Sequence, residues 1–442
     1  MSNNKNMHKA KTEKNDEFYT RMEDITQEVL KYEECFKGKT VLCNCDDPFE
    51  SNFFKFFALQ FKKLKLKKLI TTCYRDSGLK SQCINLFDEG AYAVVMDKYI
   101  GDYNKDGRYD LQDVECWLQD QKTRLMQGKK SSLGMLETGD FASPECVKLL
   151  DEADIVVSNP PFSLFREYVS LLMKHKKQFL IIGNMNAITY KEIFPLIKEN
   201  KLWKGYTSPK EFVQPDGTTK KFGNICWFTN LPTERREEYL DLFEDYSPEK
   251  YPMYDNYLAI NVDRVSDIPC NEWFEMTVGE DRYNKLKATY GGDCVLIDDD
   301  VKKQYHIKVR NIVMGVPITF LDKYCPKQFE IVSFRKGDNG EDLIFTRERE
   351  REFNRTLESL YNIDSRSAQE QGRIDKWETY IRENNNKKGG LTREPVDCFH
   401  VLLTNGNCAS HGKEVRRIEN ESPCINGKWL YTRITIRKKS KQ

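Results

Sequence analysis

The chain has 442 residues, 39% hydrophobic and 31% charged, with a net charge of only +1. That length exceeds one ordinary core and predicts two domains or one enlarged by insertions, while the even charge balance means that any nucleic-acid contact comes from local patches. There is no apolar run long enough to span a membrane and no charged-then-apolar leader, and the 14 cysteines lack a framework spacing, so a membrane or secreted protein is not expected and a cytoplasmic one with reduced thiols is.

Residues 1–14 are polar and rich in Lys and Asn, and read as a frayed tail. Met22 to Phe36 is helical in pattern, and Lys37-Gly38-Lys39 turns the chain into Thr40–Cys45, a short apolar strand stopped by Asp46-Asp47-Pro48. A helix over Phe53–Phe61 leads to a second strand, Lys67–Cys73. The third strand is weakly marked and ends near Gly139-Asp140-Phe141, after an insertion over residues 85–135. Ala153–Ser158 is a buried fourth strand, Leu164–Lys174 an amphipathic helix, and Gln178–Gly183 a fifth strand, with Asn224–Thr229 available to close the sheet. Strands alternating with helices predict βαβ units and a parallel sheet, a doubly wound α/β domain over residues 15–260. From 261 to 442 the alternation fades into a mixed α+β region with two very polar stretches, Arg347–Arg355 and Arg382–Gly390.

The sharpest chemical signal is Asn159-Pro160-Pro161-Phe162, directly after the strand Asp154–Ser158. Ligands of open α/β sheets bind outside the carboxyl ends of strands, where this tetrapeptide falls. Its residue types suit methylation of a planar amine or amide, such as the exocyclic amine of adenine. That nitrogen is a poor nucleophile because its lone pair is delocalised, and two acceptors aimed at its N–H bonds favour the transition state in which it becomes positive. The Asn159 side-chain oxygen and the Pro160 carbonyl are the two acceptors. The prolines fix their own φ and keep Asn159 out of the helical region, so both are pre-aimed. Phe162 offers a face on which an extruded base stacks. The plainer alternative is a strand-to-helix turn.

Around this motif stand Asp16–Thr20, Cys45–Pro48, Gly139-Asp140-Phe141, Trp227–Leu231, Tyr254–Tyr257, Gly315–Tyr324 and Gln328–Val332. With these stretches the chain resembles the EcoRI-type adenine-specific DNA methyltransferases over most of its length. The resemblance implies a Rossmann-like class I methyltransferase sheet, S-adenosylmethionine as methyl donor, double-stranded DNA as substrate, and a cognate restriction endonuclease as a functional partner in a bacterial or phage system. It further implies that Asp46, Asp47 and Pro48 replace the usual Gly-rich loop, with a carboxylate facing the methionine ammonium. Asp140 then accepts from the cofactor's adenine amine, Phe141 covers its ring, and Phe18, Tyr19 and Thr20 fold over the methionine moiety. Each Asp serves equally well as a cap or turn residue. One departure is a run of about forty residues, Cys270 to Val313, between two blocks the family keeps close. RNA adenine or protein glutamine methylation would use the same acceptor geometry, and a non-catalytic DNA-binding protein could occupy the same scaffold.

Two further constellations are possible metal sites. Asp102, Asn104, Asp106, Asp110 and Asp113 fit a calcium-loop pattern with Gly107 at its sharp turn, and equally a solvated turn. A calcium ion there would be structural. Cys398, His400, Cys408 and His411, with Cys424 as a spare, are a weaker zinc candidate. The segment His411–Gln442 is basic with interleaved aromatics, so Lys428, Arg433, Arg437, Lys438 and Lys439 are candidate phosphate contacts of a DNA-recognition region.

Overall fold

A computed structural model describes residues 19–74, 90–213, 218–254, 257–299, 304–335, 424–425, 428–429 and 433–439. The tail, Phe18, both polar stretches, Cys398, His400, Cys408 and His411 lie outside the described residues, as do the side chains of Cys424 and Lys428. Two compact units are present, one up to Arg235 and one from Arg236.

The first unit is built on eight strands: β1 (Thr40–Asn44), β2 (Lys68–Cys73), β3 (Ala91–Met96), β4 (Leu133–Leu136), β5 (Ile155–Ser158), β6 (Gln178–Asn184), β7 (Trp203–Lys204) and β8 (Ile225–Thr229). They lie in the order β4-β3-β2-β1-β5-β6-β8-β7. The central four are parallel, with Val41 opposite both Leu69 and Ile155. Their apolar runs are buried along their length, as strands covered on both faces require. The outer strands pair antiparallel, so the sheet is mixed and not parallel throughout as the alternation predicted. At the rim, Gly134 and Met135 of β4 face solvent, which an antiparallel edge tolerates and a covered parallel strand would not. The segment read as an insertion is therefore not looped out, because β3 and β4 extend the sheet from β2.

The longer helices are α1 (Met22–Val29), α2 (Asn52–Leu59), α3 (Leu111–Met126), α4 (Pro144–Glu152) and α5 (Phe165–Lys174). Phe53, Phe54, Phe56 and Phe57 of α2 are all buried in one cluster with Val41, Leu69, Ile155 and Trp227. Each such ring contributes about 1.5–3 kcal/mol relative to an exposed one.

The candidate calcium loop turns its side chains onto its own backbone. Asp102 accepts from the amides of Asp106 (3.1 Å) and Gly107 (2.8 Å), and Asp106 accepts from Arg108 (2.9 Å). Asp113 accepts from the amides of Tyr103, Asn104 and Asp110 at 2.7, 3.0 and 2.8 Å, and with Asp110 it forms the capping box of α3. No group of three or more His, Cys, Asp or Glu side chains is arranged to hold a metal among the described residues. These bonds brace the loop as a turn leading into α3.

The second unit holds two larger sheets and a two-stranded pair, Cys424–Ile425 with Lys428–Trp429. Strands β10 (Trp273–Gly279), β11 (Cys294–Asp299) and β12 (Gln304–Arg310) form one, ordered β10-β12-β11, with α6 (Glu280–Tyr290) between β10 and β11. This is the stretch read as a departure, and β10 alternates buried and exposed residues along its length. The other sheet is ordered β9-β13-β15-β14, from β9 (Ile260–Asn261), β13 (Met314–Pro317), β14 (Phe329–Arg335) and β15 (Arg433–Lys438).

Two of the candidate phosphate contacts on β15 are turned inward. The Arg433 side chain is 10% exposed and its guanidinium lies 3.4 Å from both Asn261 Oδ1 and Asp263 Oδ1. The Lys438 ammonium donates to the carbonyl oxygens of Pro269, Cys270 and Asn271, and burial lowers its pKa to about 8. Lys438, a candidate phosphate contact in the sequence, thus pins the 269–271 loop. Lys439 is exposed at the strand end.

Candidate active site

The strand order reverses between β1 and β5, one leading outward through β2 and the other through β6. The crevice at the carboxyl ends of these strands is the topological switch point where ligands of such sheets bind. Asp46-Asp47-Pro48 leaves β1 at this edge and Asn159–Phe162 leaves β5.

No Gly-rich loop follows β1, but its conformational role is filled. Cys45 has φ 61°, a left-handed geometry uncommon for a residue with a Cβ. The chain bends sharply there and enters α2, whose N-cap Ser51 accepts from the amide of Phe53 at 3.2 Å.

Asp46 is buried beneath the bend. Its Oδ1 accepts from Ser51 Oγ at 2.9 Å, its Oδ2 lies 3.0 Å from Ser158 Oγ, and the carboxylate also accepts from the Asn159 amide. Ser158 Oγ additionally reaches the Asn44 carbonyl, and the Tyr168 hydroxyl donates to the Asn44 side chain. Asn159 therefore sits on a hydrogen-bonded platform joining β1, β5, α2 and α5. Its side-chain oxygen is buried, Pro160 is buried, and Phe162 is half-buried against the core. Asp47 is also engaged, accepting from Phe49 N at 2.9 Å and Tyr92 Oη at 2.8 Å. Both carboxylates brace the loop, and Asp46 also braces the tetrapeptide.

Glycine and glutamate position the other predicted ligands. Glu145 accepts from the amides of Glu137, Thr138 and Gly139 at 2.8, 2.9 and 3.0 Å. Desolvation alone would raise its pKa, and these amides with the Thr138 hydroxyl hold it below the usual carboxylate value. The loop so fixed presents Asp140 exposed and packs Phe141 edge-on against Tyr168, centroids 5.1 Å apart. Gly139 has φ +67°, and a Cβ there would lie 2.2 Å from the Cys73 carbonyl oxygen. Gly139→Ala is expected to cost about 2 kcal/mol or more, read as a lowered urea midpoint with an unchanged m-value.

Tyr19 and Thr20 pair with Val213 and Phe212, and Asn52 Nδ2 donates to the Thr20 carbonyl at 2.8 Å, which brings this segment to the start of α2. The Thr20 hydroxyl is sealed from solvent and makes no hydrogen bond among the described residues. Buried hydroxyls almost always have a partner, so this one fits a ligand's polar group. Sequence reasoning missed Ser51, Ser158, Glu145 and Tyr168. Ser51 and the Ser143-Pro144-Glu145 helix start carried cap signals, whereas Ser158 and Tyr168 gave none.

Acceptors at the switch point of an α/β sheet, beside an aromatic ring, suit methyl transfer to a planar amine. The chain matches the family described as adenine-specific methyltransferase EcoRI over residues 6–286 and 297–439. It is 39% identical over 360 residues to the type II methyltransferase M.EcoRI of Escherichia coli, covering 77% of this chain and 92% of that one. It is 34% identical over 345 residues to the type II methyltransferase M.MpnI of Mycoplasma pneumoniae, covering 73% and 84%. No solved structure gives a significant match. The chain belongs to the EcoRI family of adenine-specific methyltransferases. The family match is interrupted at 287–296, inside the run Cys270 to Val313.

Proposed function

We propose that this chain transfers a methyl group from S-adenosylmethionine to the exocyclic amine of an adenine turned out of double-stranded DNA, on a Rossmann-like doubly wound sheet. The observation that carries the reading is the platform under Asn159, which fixes an amide acceptor at the switch point before substrate arrives. Thr20, Asp140 and Phe141 are the residues that would hold the cofactor, through the buried hydroxyl, an exposed carboxylate and an aromatic face. Bound there, the cofactor supplies an electrophilic methyl on a sulfonium. Asn159 and Pro160 accept from the adenine amine, stabilising the positive charge that develops on its nitrogen. Pro161 is held extended at φ −53°, ψ 126°, which orients the next residue, and Phe162 stacks on the extruded base. The unit from Arg236 is the DNA-recognition region, with Arg437 and Lys439 among its phosphate contacts. No helix among the described residues is long and apolar enough to cross a membrane. A cytoplasmic restriction-modification setting fits the relatives' type II names.

The test supplies a labelled methyl donor separately with duplex DNA, RNA and protein, and digests the products. The label is expected in N6-methyladenine from duplex DNA, with 2-aminopurine at the target position brightening on binding. Label in RNA adenine or in glutamine, with DNA unlabelled, would overturn the reading.

A further inference from the structure

The second unit holds a cavity of about 520 Å³ between α6 and the sheet containing β14 and β15, remote in sequence from the adenine site. Three cations line it, Arg282 and Lys285 from α6 and Arg437 from β15, against one acid, Asp281. In a chain of net charge +1 that is a local concentration of positive charge. The acid is 83% exposed and pairs with Lys285 at 2.7 Å, an i,i+4 pair at the helix surface. The two arginines are built in. Arg282 Nη2 donates to the Tyr254 carbonyl at 2.9 Å, and the Arg437 guanidinium lies 6.0 Å from the centroid of the Tyr290 ring. Tyr290 is itself fixed, its hydroxyl accepting from the Val313 amide at 3.0 Å. The Tyr290 hydroxyl also faces the Arg437 guanidinium, whose Nε is buried with no hydrogen-bond acceptor within bonding geometry among the described residues. A charged donor sealed from water and left without an acceptor is costly, and a bound anion relieves that cost. The planar guanidinium fork matches the paired oxygens of a phosphate group. Thr435 adds a hydroxyl to the wall.

We propose that this cavity is an anion site that takes a backbone phosphodiester of the duplex. The inference rests on DNA as the substrate, and it joins α6, which the sequence did not mark, to the basic β15 segment that it did. Phosphate interactions of this kind fix register and orientation without reading bases. A free nucleotide or inorganic phosphate offers the same chemistry, so the experiment includes both.

Lys285→Gln, Arg437→Gln and the double variant are titrated with a fluorescent duplex at several salt concentrations. Lys285 is 61% exposed, which makes its substitution safe for the fold. Each cation removed from a phosphate is expected to reduce the slope of log affinity against log salt by about 0.9, and the double variant by about twice that. Cofactor affinity is expected to stay at native values in all three variants, and the melting temperature in Lys285→Gln. Adenosine triphosphate and inorganic phosphate, added as competitors at constant ionic strength, are expected to displace duplex only at millimolar levels. An unchanged slope in Lys285→Gln and in the double variant overturns the proposal, as does nucleotide binding that disappears in the variants while duplex binding does not. Methylation of the duplex is scored in parallel. A native protein that binds duplex but methylates none of it would sink the functional reading and leave the cavity tested by binding alone.

Discussion

Asn159→Ala is expected to lower the turnover number for methyl transfer by about 10²–10³-fold, the range for removing one preorganised donor or acceptor from a transition state. The bond it deletes strengthens as the amine nitrogen becomes positive, so the loss belongs to the chemical step. Cofactor affinity is expected to stay near native, because Thr20, Asp140 and Phe141 lie on other segments. The backbone is expected to hold as well, since the Asn159 amide that donates to Asp46 survives the substitution and Pro160 still restricts the preceding residue. Asn159→Asp keeps an acceptor and is expected to lose less. Single-turnover kinetics separates the methyl-transfer rate from product release, with calorimetry for the cofactor. Near-native single-turnover rates in Asn159→Ala would remove the tetrapeptide from the chemistry.

How much of this was legible in sequence depends on how local the cause was. The buried strands β1, β2, β5 and β6 announced themselves as apolar runs, because a strand covered on both faces carries its environment in its composition. The antiparallel rim did not, since the direction in which β3 meets β2 is a tertiary fact that a short apolar run leaves open. The tetrapeptide was readable because its two prolines fix its geometry locally. Its support was not. Ser158 is one more residue of a buried strand and Tyr168 one more apolar position on α5, and only the fold brings them to Asn44 and Asp46. The same limit holds for Asp46, whose two serine partners are brought to it only by the fold. It also explains Lys438, basic in a basic segment and yet held by three carbonyl oxygens.

The second large effect is expected at Asp46, and two substitutions separate positioning from cofactor binding. Asp46→Ala removes the acceptor of the Ser51 hydroxyl and of the Asn159 amide and opens a hole beneath the tetrapeptide. Each buried group left without a partner costs about 1–3 kcal/mol, and a shift of Asn159 by even an ångström would cost about 10²-fold in rate. Asp46→Asn keeps the shape and is informative through pH. Burial raises the Asp46 carboxyl to about 7, against the stabilising bonds from Ser51, Ser158 and the Asn159 amide. The neutral acid also has a place to give its proton, to Ser158 Oγ while that hydroxyl serves the Asn44 carbonyl. A carboxyl whose folded pKa lies above its unfolded value binds its proton more tightly in the native state. Its stabilising contribution is therefore full below the unfolded value of roughly 4 and is lost as pH rises through about 7. Asparagine cannot ionise, so the melting temperature of Asp46→Asn relative to native is expected to climb between pH 5 and pH 8.5. Cofactor affinity is expected to change little, since both oxygens face protein partners. A flat difference in melting temperature, together with a tenfold or greater loss of cofactor affinity in Asp46→Asn, would mean that the carboxylate holds the methionine ammonium after all.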